Sequence, residues 1–592
     1  MKKVTYASCH ITGGFWANMQ KLIRETSMHA VYNRFDETGR IGAFRCDWKE
    51  GMDNKPHYYW DSDVAKWMES VAYIIRKYPN QELEEAVETL IDQIEKNQGA
   101  DGYFNIYFTV VMPEKRFSNR DWHELYCAGH LIEAAVAWYE TTGRDRFLHM
   151  MCRYADYIEK VFIIDGSAGY VTPGHEEIEL ALVKLYDVTG EKRYIKMVQF
   201  FLDHRGYNEK NEGDSINIQA HKPVREQYTA EGHAVRAMYL ACAMADVALR
   251  MGDKNLKFAC EKMFENIINQ RMYITGGIGS SAVGEAFTVD YDLPNITAYT
   301  ETCAAIGLAL FAQRMMLLDM NGVYGDVIEK VLYNGFLSGI SLDGKAFFYE
   351  NPLEIPPAEQ KAPGVRYPIT KRLEVFRCSS CPPNITRFVS SVGDFLYTVD
   401  EKGIYCHQFM ESVYEGEDFT LMMKTDYPHS GKVRFDYRGQ PTTLFVRVPG
   451  WCDGFQGEIK NGYASFALQG DDRVDVEFPI KPVCMEASPA LGVDCGRYAV
   501  MRGPVVYCLE ECDNGKYVRD IALYESAGFT EIDEKDFYVP VLKTKGCRRA
   551  NRAALYVPKD HYPYEEVDIT LIPYHAFANR TEGEMLVWVQ VK

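Results

Sequence analysis

The first two thirds of the chain place apolar residues at helical spacing. In residues 80–105 they recur at intervals of three and four, and Gly99 and Gly102 follow the predicted helix. Three later segments each run helix, turn and helix, with turns at Gly143, Gly190 and Gly252. Repeated helical hairpins can stack as an open solenoid or close into a ring. Histidines and acids stand where the hairpins begin, which favours an (α/α)6 toroid with a central site.

After about residue 395 the pattern changes to alternation of apolar and polar residues. KVRFDYRG, TTLFVRVPGW and RVDVEFPI are examples, and turn residues separate them. Such alternation predicts antiparallel β-sandwiches. The predicted organisation is an N-terminal strand within residues 1–10, an (α/α)6 barrel over 11–395, a β-sandwich over 396–490 and a second β-sandwich over 491–592.

Composition and charge narrow the class of protein. The 592 residues are 47% hydrophobic and 25% charged, as in a globular chain of several domains. The net charge of −19 would repel phosphate backbones, so no nucleic-acid partner is expected. No stretch reaches the roughly 18 apolar residues that span a bilayer, so no membrane partner is expected either. The segment IGLALFAQRMMLL is interrupted by Gln313 and Arg314, and it is predicted to be a buried helix.

Cysteine usage and the first residues bear on location. The N-terminal segment lacks the apolar core of a signal peptide, and the 16 cysteines do not form a dense framework. Together these features predict a cytoplasmic protein with mostly free thiols. The β-rich C-terminal region could mediate a homodimer.

Three motifs carry candidate chemistry. They are Gly-Glu-Ala-Phe around Glu285, Glu-Thr-Cys from Glu301 to Cys303, and Cys-Ser-Ser-Cys ending at Cys381, before two prolines. The prolines rigidify the last loop, and zinc binds thiolates and carboxylates. Glu301, Cys303 and Cys381 are therefore candidate ligands of a zinc site. The alternative is that these are ordinary buried cysteines, and spacing alone does not decide between the two.

Glu285 and Glu301 also offer the two carboxylates of an ordinary glycosidase, one as acid and one as nucleophile or base. This alternative needs no metal. It assigns no chemical role to Cys303 and Cys381, so the zinc site is favoured.

The motifs together resemble glycoside hydrolase family 127, the β-L-arabinofuranosidases, and the neighbouring family 146. The resemblance covers nearly the whole chain. It implies an (α/α)6 catalytic barrel followed by β-sandwich domains, and a zinc ion held by one glutamate and three cysteines. Besides the three motifs above, the matching segments are Trp60 to Trp67, His123 to His130, Pro173 to His175, Gln219 to Arg225 and Ile572 to Tyr574.

The resemblance also implies the role of each site residue. Glu285 matches the general acid/base, and Glu301, Cys303 and Cys381 match zinc ligands. The residue at position 380 matches both a ligand and the nucleophile of a retaining, exo-acting enzyme. Here that residue is Ser380, where the family has cysteine.

A hydroxyl is far less acidic than a thiol and a poorer zinc ligand. Three explanations of Ser380 stay open. It is an engineered change from cysteine, or a natural variant that uses zinc-activated Ser380 or another group, or Cys378 takes over as ligand or nucleophile. The serine form is expected to turn over very slowly while still binding sugar.

The resemblance places His123, His175 and His233 in the sugar site. Each stands at the start of a predicted helix, and the alternative for each is a helix cap or a satisfied core histidine. Trp60 and Asp61 could bind the sugar or form a helix N-terminus. The residues with weaker support are Tyr349, which could close the pocket, His221 and Gln227.

The implied substrate is a β-L-arabinofuranoside, or a related furanoside, from plant-derived glycans. Two other classes remain as alternatives. One is a non-catalytic carbohydrate-binding protein with a structural zinc, and the other is a lyase or epimerase on the same toroid.

Overall fold

The computed structural model describes residues 1–207, 215–374, 379–549 and 554–592. Helices dominate the chain as far as residue 390, and strands dominate the remainder. The α-helices of the described residues are α1 (Gly14–Leu22), α2 (Met28–Glu37), α3 (Trp60–Ile75), α4 (Gln81–Asn97), α5 (Tyr107–Val110), α6 (Glu124–Thr142), α7 (Arg146–Glu159), α8 (Ile178–Thr189), α9 (Lys192–His204), α10 (Ala234–Met251), α11 (Lys254–Asn266), α12 (Thr302–Leu318), α13 (Gly322–Lys330), α14 (Cys381–Ser390) and α15 (Glu511–Asn514).

Six of the described helices form a closed inner ring. Along the chain, α3 contacts α6, α6 contacts α8, α8 contacts α10, α10 contacts α12 and α12 contacts α14, while α14 returns to contact α3. Most side chains of these helices are buried on every face. The outer partners α4, α7, α9, α11 and α13, with α1 and α2, bury one apolar face each. This arrangement is the predicted (α/α)6 toroid.

Tight turns join inner helices to outer ones. Gly143 and Gly190 end α6 and α8 with φ of 72° and 73°, a left-handed conformation that glycine adopts without strain. Longer loops lead back from each outer helix to the next inner helix. The N-termini of the inner helices therefore lie at the end of the ring that carries the long loops.

The strands of the described residues form three sheets. They are β1 (Lys2–Lys3), β2 (Cys9–Ile11), β3 (Glu354–Ile355), β4 (Tyr397–Asp400), β5 (Gly403–Cys406), β6 (Ser412–Glu415), β7 (Thr420–Thr425), β8 (Lys432–Arg438), β9 (Thr442–Arg447), β10 (Tyr463–Leu468), β11 (Asp472–Glu477), β12 (Pro482–Glu486), β13 (Arg497–Arg502), β14 (Val505–Glu510), β15 (Ala522–Leu523), β16 (Thr530–Ile532), β17 (Val541–Arg549), β18 (Tyr564–Pro573), β19 (Met585–Leu586) and β20 (Val589–Val591).

Two five-stranded sheets follow the ring. Their strand orders are β1-β4-β5-β9-β10 and β11-β8-β7-β6-β2, so the first residues of the chain supply one edge strand to each sheet. In β8, Val433, Phe435 and Tyr437 are buried while Lys432 and Arg434 are exposed. The alternation in the sequence thus marks the face of each strand that packs inward.

The last sheet follows the order β12-β13-β20-β15-β17-β18-β14-β19-β3, with β16 paired to β17. Its strand β3 comes from the loop between α13 and α14, within the helical part of the chain. The hydroxyl of Tyr574 donates to the carbonyl of Pro352 at 2.9 Å, which adds a second tie to this loop. The C-terminal sheet therefore holds the loop that leads to Ser380.

The segment around Gln313 lies in α12, a buried helix, as predicted. In the part of the chain that the structure describes, no helix is both long enough and apolar enough to cross a membrane.

Candidate active site

The candidate residues gather where the inner helices begin. Trp60 is the first residue of α3, His123 and His233 immediately precede α6 and α10, and His175 stands three residues before α8. Glu301 immediately precedes α12, and Cys381 is the first residue of α14. The positive ends of six helix dipoles therefore face one central region, which favours anionic groups and hydroxyl oxygens there.

Glu301, Cys303 and Cys381 form a buried cluster. Cys303 Sγ lies 3.2 Å from Cys381 Sγ, and Cys381 Sγ lies 3.6 Å from Glu301 Oε1. Each residue is at most 3% exposed, and the three ligand atoms lie within 4.8 Å of one another. Glu301 Oε2 is buried and makes no hydrogen bond among the described residues. Two sulfurs and a free carboxylate oxygen are a donor set that suits zinc.

Three negative charges in this buried cluster would repel one another. Burial and the nearby Cys303 raise the pKa of Glu301 well above its usual range, and burial followed by the contact with Cys303 does the same for Cys381. For Cys303, burial raises the pKa, but the hydrogen bond between Cys303 and Cys381 and the charge of Lys66 lower it to about 7. A bound cation would relieve this repulsion.

Ser380 immediately precedes α14 and is partly exposed. Its backbone carbonyl accepts a hydrogen bond from Lys66 Nζ at 3.4 Å. Pro382 and Pro383 occupy the first turn of the helix, where the missing N–H groups cost nothing. The backbone that carries Ser380 and Cys381 is therefore rigid. Cys378 lies outside the described residues.

Glu285 stands at the mouth of the site, in a short helical turn with φ of 54°. Its Oε2 accepts from His233 Nε2 at 2.6 Å, and its Oε1 accepts from the hydroxyl of Tyr299 at 2.5 Å. Its side chain is 37% exposed. Burial raises the pKa of Glu285, but the hydrogen bonds from His233 and Tyr299 and the charges of His233 and Arg236 lower it to about 2. Glu285 is thus an ionised base in the free protein.

Three histidines form an arc that ends at Glu285. The ring centroids of His123 and His175 lie 5.5 Å apart, and those of His175 and His233 lie 5.4 Å apart. Nδ1 of His123 donates to the carbonyl of Asp121, and Nδ1 of His175 donates to that of Glu176. Burial lowers the pKa of His123 to about 3 and that of His175 well below its usual range, so these two rings are neutral, whereas at His233 the hydrogen bond and charge of Glu285 oppose the effect of burial. Nε2 of His123 and His175 is then the acceptor nitrogen.

Trp60 and Asp61 are the first two residues of α3. Asp61 is fully buried, and its Oδ2 accepts from the backbone N–H of Ile106 at 2.9 Å. The ring of Trp60 lies 5.4 Å from the guanidinium carbon of Arg40. These contacts support the loop before α5, and a direct contact of Trp60 or Asp61 with sugar stays a prediction.

Tyr349 joins the loop of β3 to the site. Its backbone carbonyl accepts from the N–H of Thr302 at 3.0 Å, next to Glu301, and its ring centroid lies 6.4 Å from that of Tyr299. Gln227 is buried and donates to the carbonyls of Gln219 and Lys222, whereas His221 is partly exposed. Gln227 therefore stabilises the loop that contains Gln219 and Lys222.

Sequence reasoning missed Tyr299 and Lys66. Tyr299 is fourteen residues from Glu285, and nothing in the local pattern marks it as the partner of that carboxylate. Lys66 had only a weak local signal, because it lies between Ala65 and Trp67 on a helix that also carries Asp61, Asp63 and Glu69.

Comparison with known proteins identifies the family. The GH127 catalytic-domain model of β-L-arabinofuranosidase matches residues 8–394, the GH127 middle-domain model matches 403–477, and the family 127 C-terminal-domain model matches 482–590. A curated relative is the non-reducing end β-L-arabinofuranosidase of Bifidobacterium longum subsp. longum, 35% identical over 96% of this chain and 93% of its own.

Two solved structures are similar to this chain over its whole length. The structure of Ara127N-Se, a GH127 β-L-arabinofuranosidase from Geobacillus stearothermophilus T6, is 40% identical and superposes with a TM-score of 0.93, covering 99% of this chain and 100% of its own. A second GH127 structure, of a β-arabinofuranosidase, is 34% identical with a TM-score of 0.90, covering 100% of this chain and 98% of its own. The chain belongs to glycoside hydrolase family 127.

Proposed function

We propose that this chain is a retaining, exo-acting glycoside hydrolase that releases β-L-arabinofuranose, or a related furanose, from plant-derived glycans. The observation that carries the proposal is the juxtaposition of a thiol–carboxylate cluster, an ionised Glu285 and a histidine arc at one end of the ring. The curated relative, which is named for activity at a non-reducing end, supports the same substrate class.

Zinc fits the residues present. Glu301, Cys303 and Cys381 would hold it, since their donor atoms converge and Glu301 Oε2 has no hydrogen-bond partner among the described residues. When bound, zinc would favour the thiolate forms and compensate the buried negative charge. Position 380 adjoins this set and is proposed as the fourth ligand and as the position of the nucleophile.

Glu285 is proposed as the general acid/base. Its carboxylate is 37% exposed at the mouth of the site, so a leaving group and then a water molecule can reach it. A sugar that excludes water and loosens the hydrogen bonds from His233 and Tyr299 would raise the pKa of Glu285, which allows it to protonate the leaving oxygen. Once the leaving group departs, the same hydrogen bonds favour the ionised form that activates water.

The histidines are proposed to orient the sugar. Nε2 of His123 and His175 can each accept a hydrogen bond from a sugar hydroxyl, because Nδ1 of both rings already donates to a backbone carbonyl. His233 is engaged with Glu285 and couples the bound sugar to the acid/base.

A second mechanism has support of its own. The ligand atoms of His233, Glu285 and Glu301 also lie within 4.8 Å of one another. That spacing is near the roughly 5–5.5 Å that separates the carboxyl groups of retaining glycosidases, so Glu301 could itself be the nucleophile. Its burial and its contact with Cys381 favour the metal-ligand role instead.

The deciding experiment compares the chain with its Ser380→Cys variant on an aryl β-L-arabinofuranoside, with zinc content measured on both. We expect slow turnover with Ser380 and a large gain with cysteine. Fast turnover by the serine form, with no gain from cysteine, would disprove the role of position 380. Loss of that turnover in Glu301→Gln with zinc still bound would then favour the two-carboxylate mechanism.

The same assay separates the other classes of protein. A carbohydrate-binding protein would bind sugar and stay inactive in both forms, with affinity retained in Glu285→Gln. A lyase or epimerase would give an unsaturated or isomerised sugar. A reducing cytoplasm is the proposed location, because it would keep the Cys303 and Cys381 thiols free.

A further inference from the structure

Lys66 lies on α3, one of the six helices of the inner ring, and its side chain is fully buried. Its ammonium donates to the hydroxyl of Tyr126 at 2.8 Å and to the backbone carbonyl of Ser380 at 3.4 Å. Within the described parts of the chain, Lys66 forms no ion pair with a carboxylate. A buried ammonium without a charged partner carries a large desolvation penalty unless some other negative charge compensates it.

The negative charge that Lys66 can compensate lies beside it. The carbonyl that it binds belongs to Ser380, whose next residue is Cys381, and Cys381 Sγ is 3.2 Å from Cys303 Sγ. The electrostatic influence of the ammonium reaches Cys303. The other strong cation near the cluster, Arg387, is already paired with Glu69 and Glu133. Asp63, one turn before Lys66 on α3, also interacts with its charge but is already paired with Arg40 at 3.0 Å. Among the described residues Lys66 has no carboxylate in ion-pair contact, so its charge can act on the cluster.

The net charge of the proposed zinc site explains why a positive charge at position 66 would stabilise it. Two thiolates and one carboxylate around a divalent zinc leave one excess negative charge, and a thiolate at position 380 would add a second. In a buried site this excess disfavours zinc binding unless a positive charge lies close by. Groups outside the ligand set commonly tune metal sites in this way.

We propose that Lys66 is a positioning residue of the zinc site. Its charge stabilises the anionic ligand set, and its hydrogen bond to the carbonyl of Ser380 fixes the backbone that presents Ser380 and Cys381. The inference rests on the zinc of the proposed function, and it adds a residue to which the family motif assigns no role here.

The test compares three full-length variants. Lys66→Met removes the charge at nearly constant length, Lys66→Arg keeps the charge, and Tyr126→Phe removes only the hydroxyl that Lys66 contacts. Zinc affinity is measured by competition with a chelator. The environment of the thiolates is measured from the sulfur-to-metal absorption of the cobalt-substituted proteins, which a purely structural role of Lys66 would leave unchanged.

We expect Lys66→Met to bind zinc about 10- to 100-fold more weakly and to shift the cobalt absorption. Lys66→Arg and Tyr126→Phe should stay close to the unsubstituted chain. Unchanged affinity and absorption in a folded Lys66→Met would overturn the inference. So would an equal loss in Tyr126→Phe, because the hydroxyl contact would then explain the effect.

Misfolding of Lys66→Met and a failure of the unsubstituted chain to bind metal each have a defined consequence. If Lys66→Met fails to fold, Lys66→Gln is compared with Lys66→Arg, and equal affinities overturn the inference. If the unsubstituted chain binds neither zinc nor cobalt, the metal in the proposed function is wrong and the role of Lys66 is wrong with it. Zinc binding that is insensitive to charge at position 66 refutes only the role of Lys66.

Discussion

Two groups of buried ionisable side chains lie inside the ring, and they differ in how their charge is compensated. Deep in the ring, Arg387 Nη1 lies 2.8 Å from Glu69 Oε2 and 3.1 Å from Glu133 Oε1, and Lys184 also pairs with Glu133. At the N-terminal ends of the helices, Glu301 and Cys381 have no cation in contact among the described residues. The paired group supports the fold, whereas the unpaired group is suited to a cation.

The largest expected effect is on catalysis at the unpaired end. In the Ser380→Cys background, Glu285→Gln should lower kcat about 10²- to 10⁴-fold, because it removes the proton donor and acceptor. Zinc content should not change, since Glu285 is not a proposed ligand. Steady-state kinetics with metal analysis measure both. A variant as active as its parent would exclude Glu285 from proton transfer.

A large effect on stability is expected at the paired end. Arg387→Met should reduce the free energy of unfolding by about 3–5 kcal/mol, because Glu69 and Glu133 lose a buried partner. The measurement is the shift in the denaturant midpoint. The matched control is Arg473→Met, whose exposed pair with Asp436 should contribute at most about 1 kcal/mol. Equal shifts would contradict the structural role of the paired group.

A smaller effect is expected at Tyr299. In the Ser380→Cys background, Tyr299→Phe removes a hydrogen bond that favours the Glu285 carboxylate, so the pKa of Glu285 should rise. A hydrogen bond to a charged group contributes about 1.5–3 kcal/mol, which corresponds to about one to two pH units. Because Glu285 must be protonated to act as the acid, its pKa sets the basic limb of kcat/KM, and that limb should therefore move to higher pH. An unmoved limb would mean that another group controls it.

The smallest effect is expected on sugar affinity. His175→Ala, in the Ser380→Cys background, should raise KM by about 10-fold, roughly 1–1.5 kcal/mol for one hydrogen bond, with kcat less affected. His204→Ala on the surface of α9 is the control, since among the described residues the ring of His204 packs on Phe200 and bonds the Phe200 carbonyl, within the same helix. A fall in kcat with constant KM would place His175 in the chemical step instead.

The element types could be read from local pattern. The apolar spacing in α4 and the alternation in β8 record which face of each element is buried, and Gly143 and Gly190 mark the turns. The domain boundaries near residues 395 and 490 and the homodimer stay predictions. The pairing of β3 with β19 could not be predicted, because nothing in the local sequence of two short strands far apart in the chain indicates that they are partners.

Local sequence pattern alone predicts the helical hairpins and the alternating strands, and it singles out Glu285, Glu301, Cys303 and Cys381 as candidates. The folded chain adds that the N-termini of six helices meet, that Tyr299 donates to Glu285 and that Lys66 reaches the carbonyl of Ser380. Periodicity reports which side of its own helix or strand a residue occupies, and so whether that residue is buried. Contact between residues up to 314 positions apart depends instead on how the ring closes.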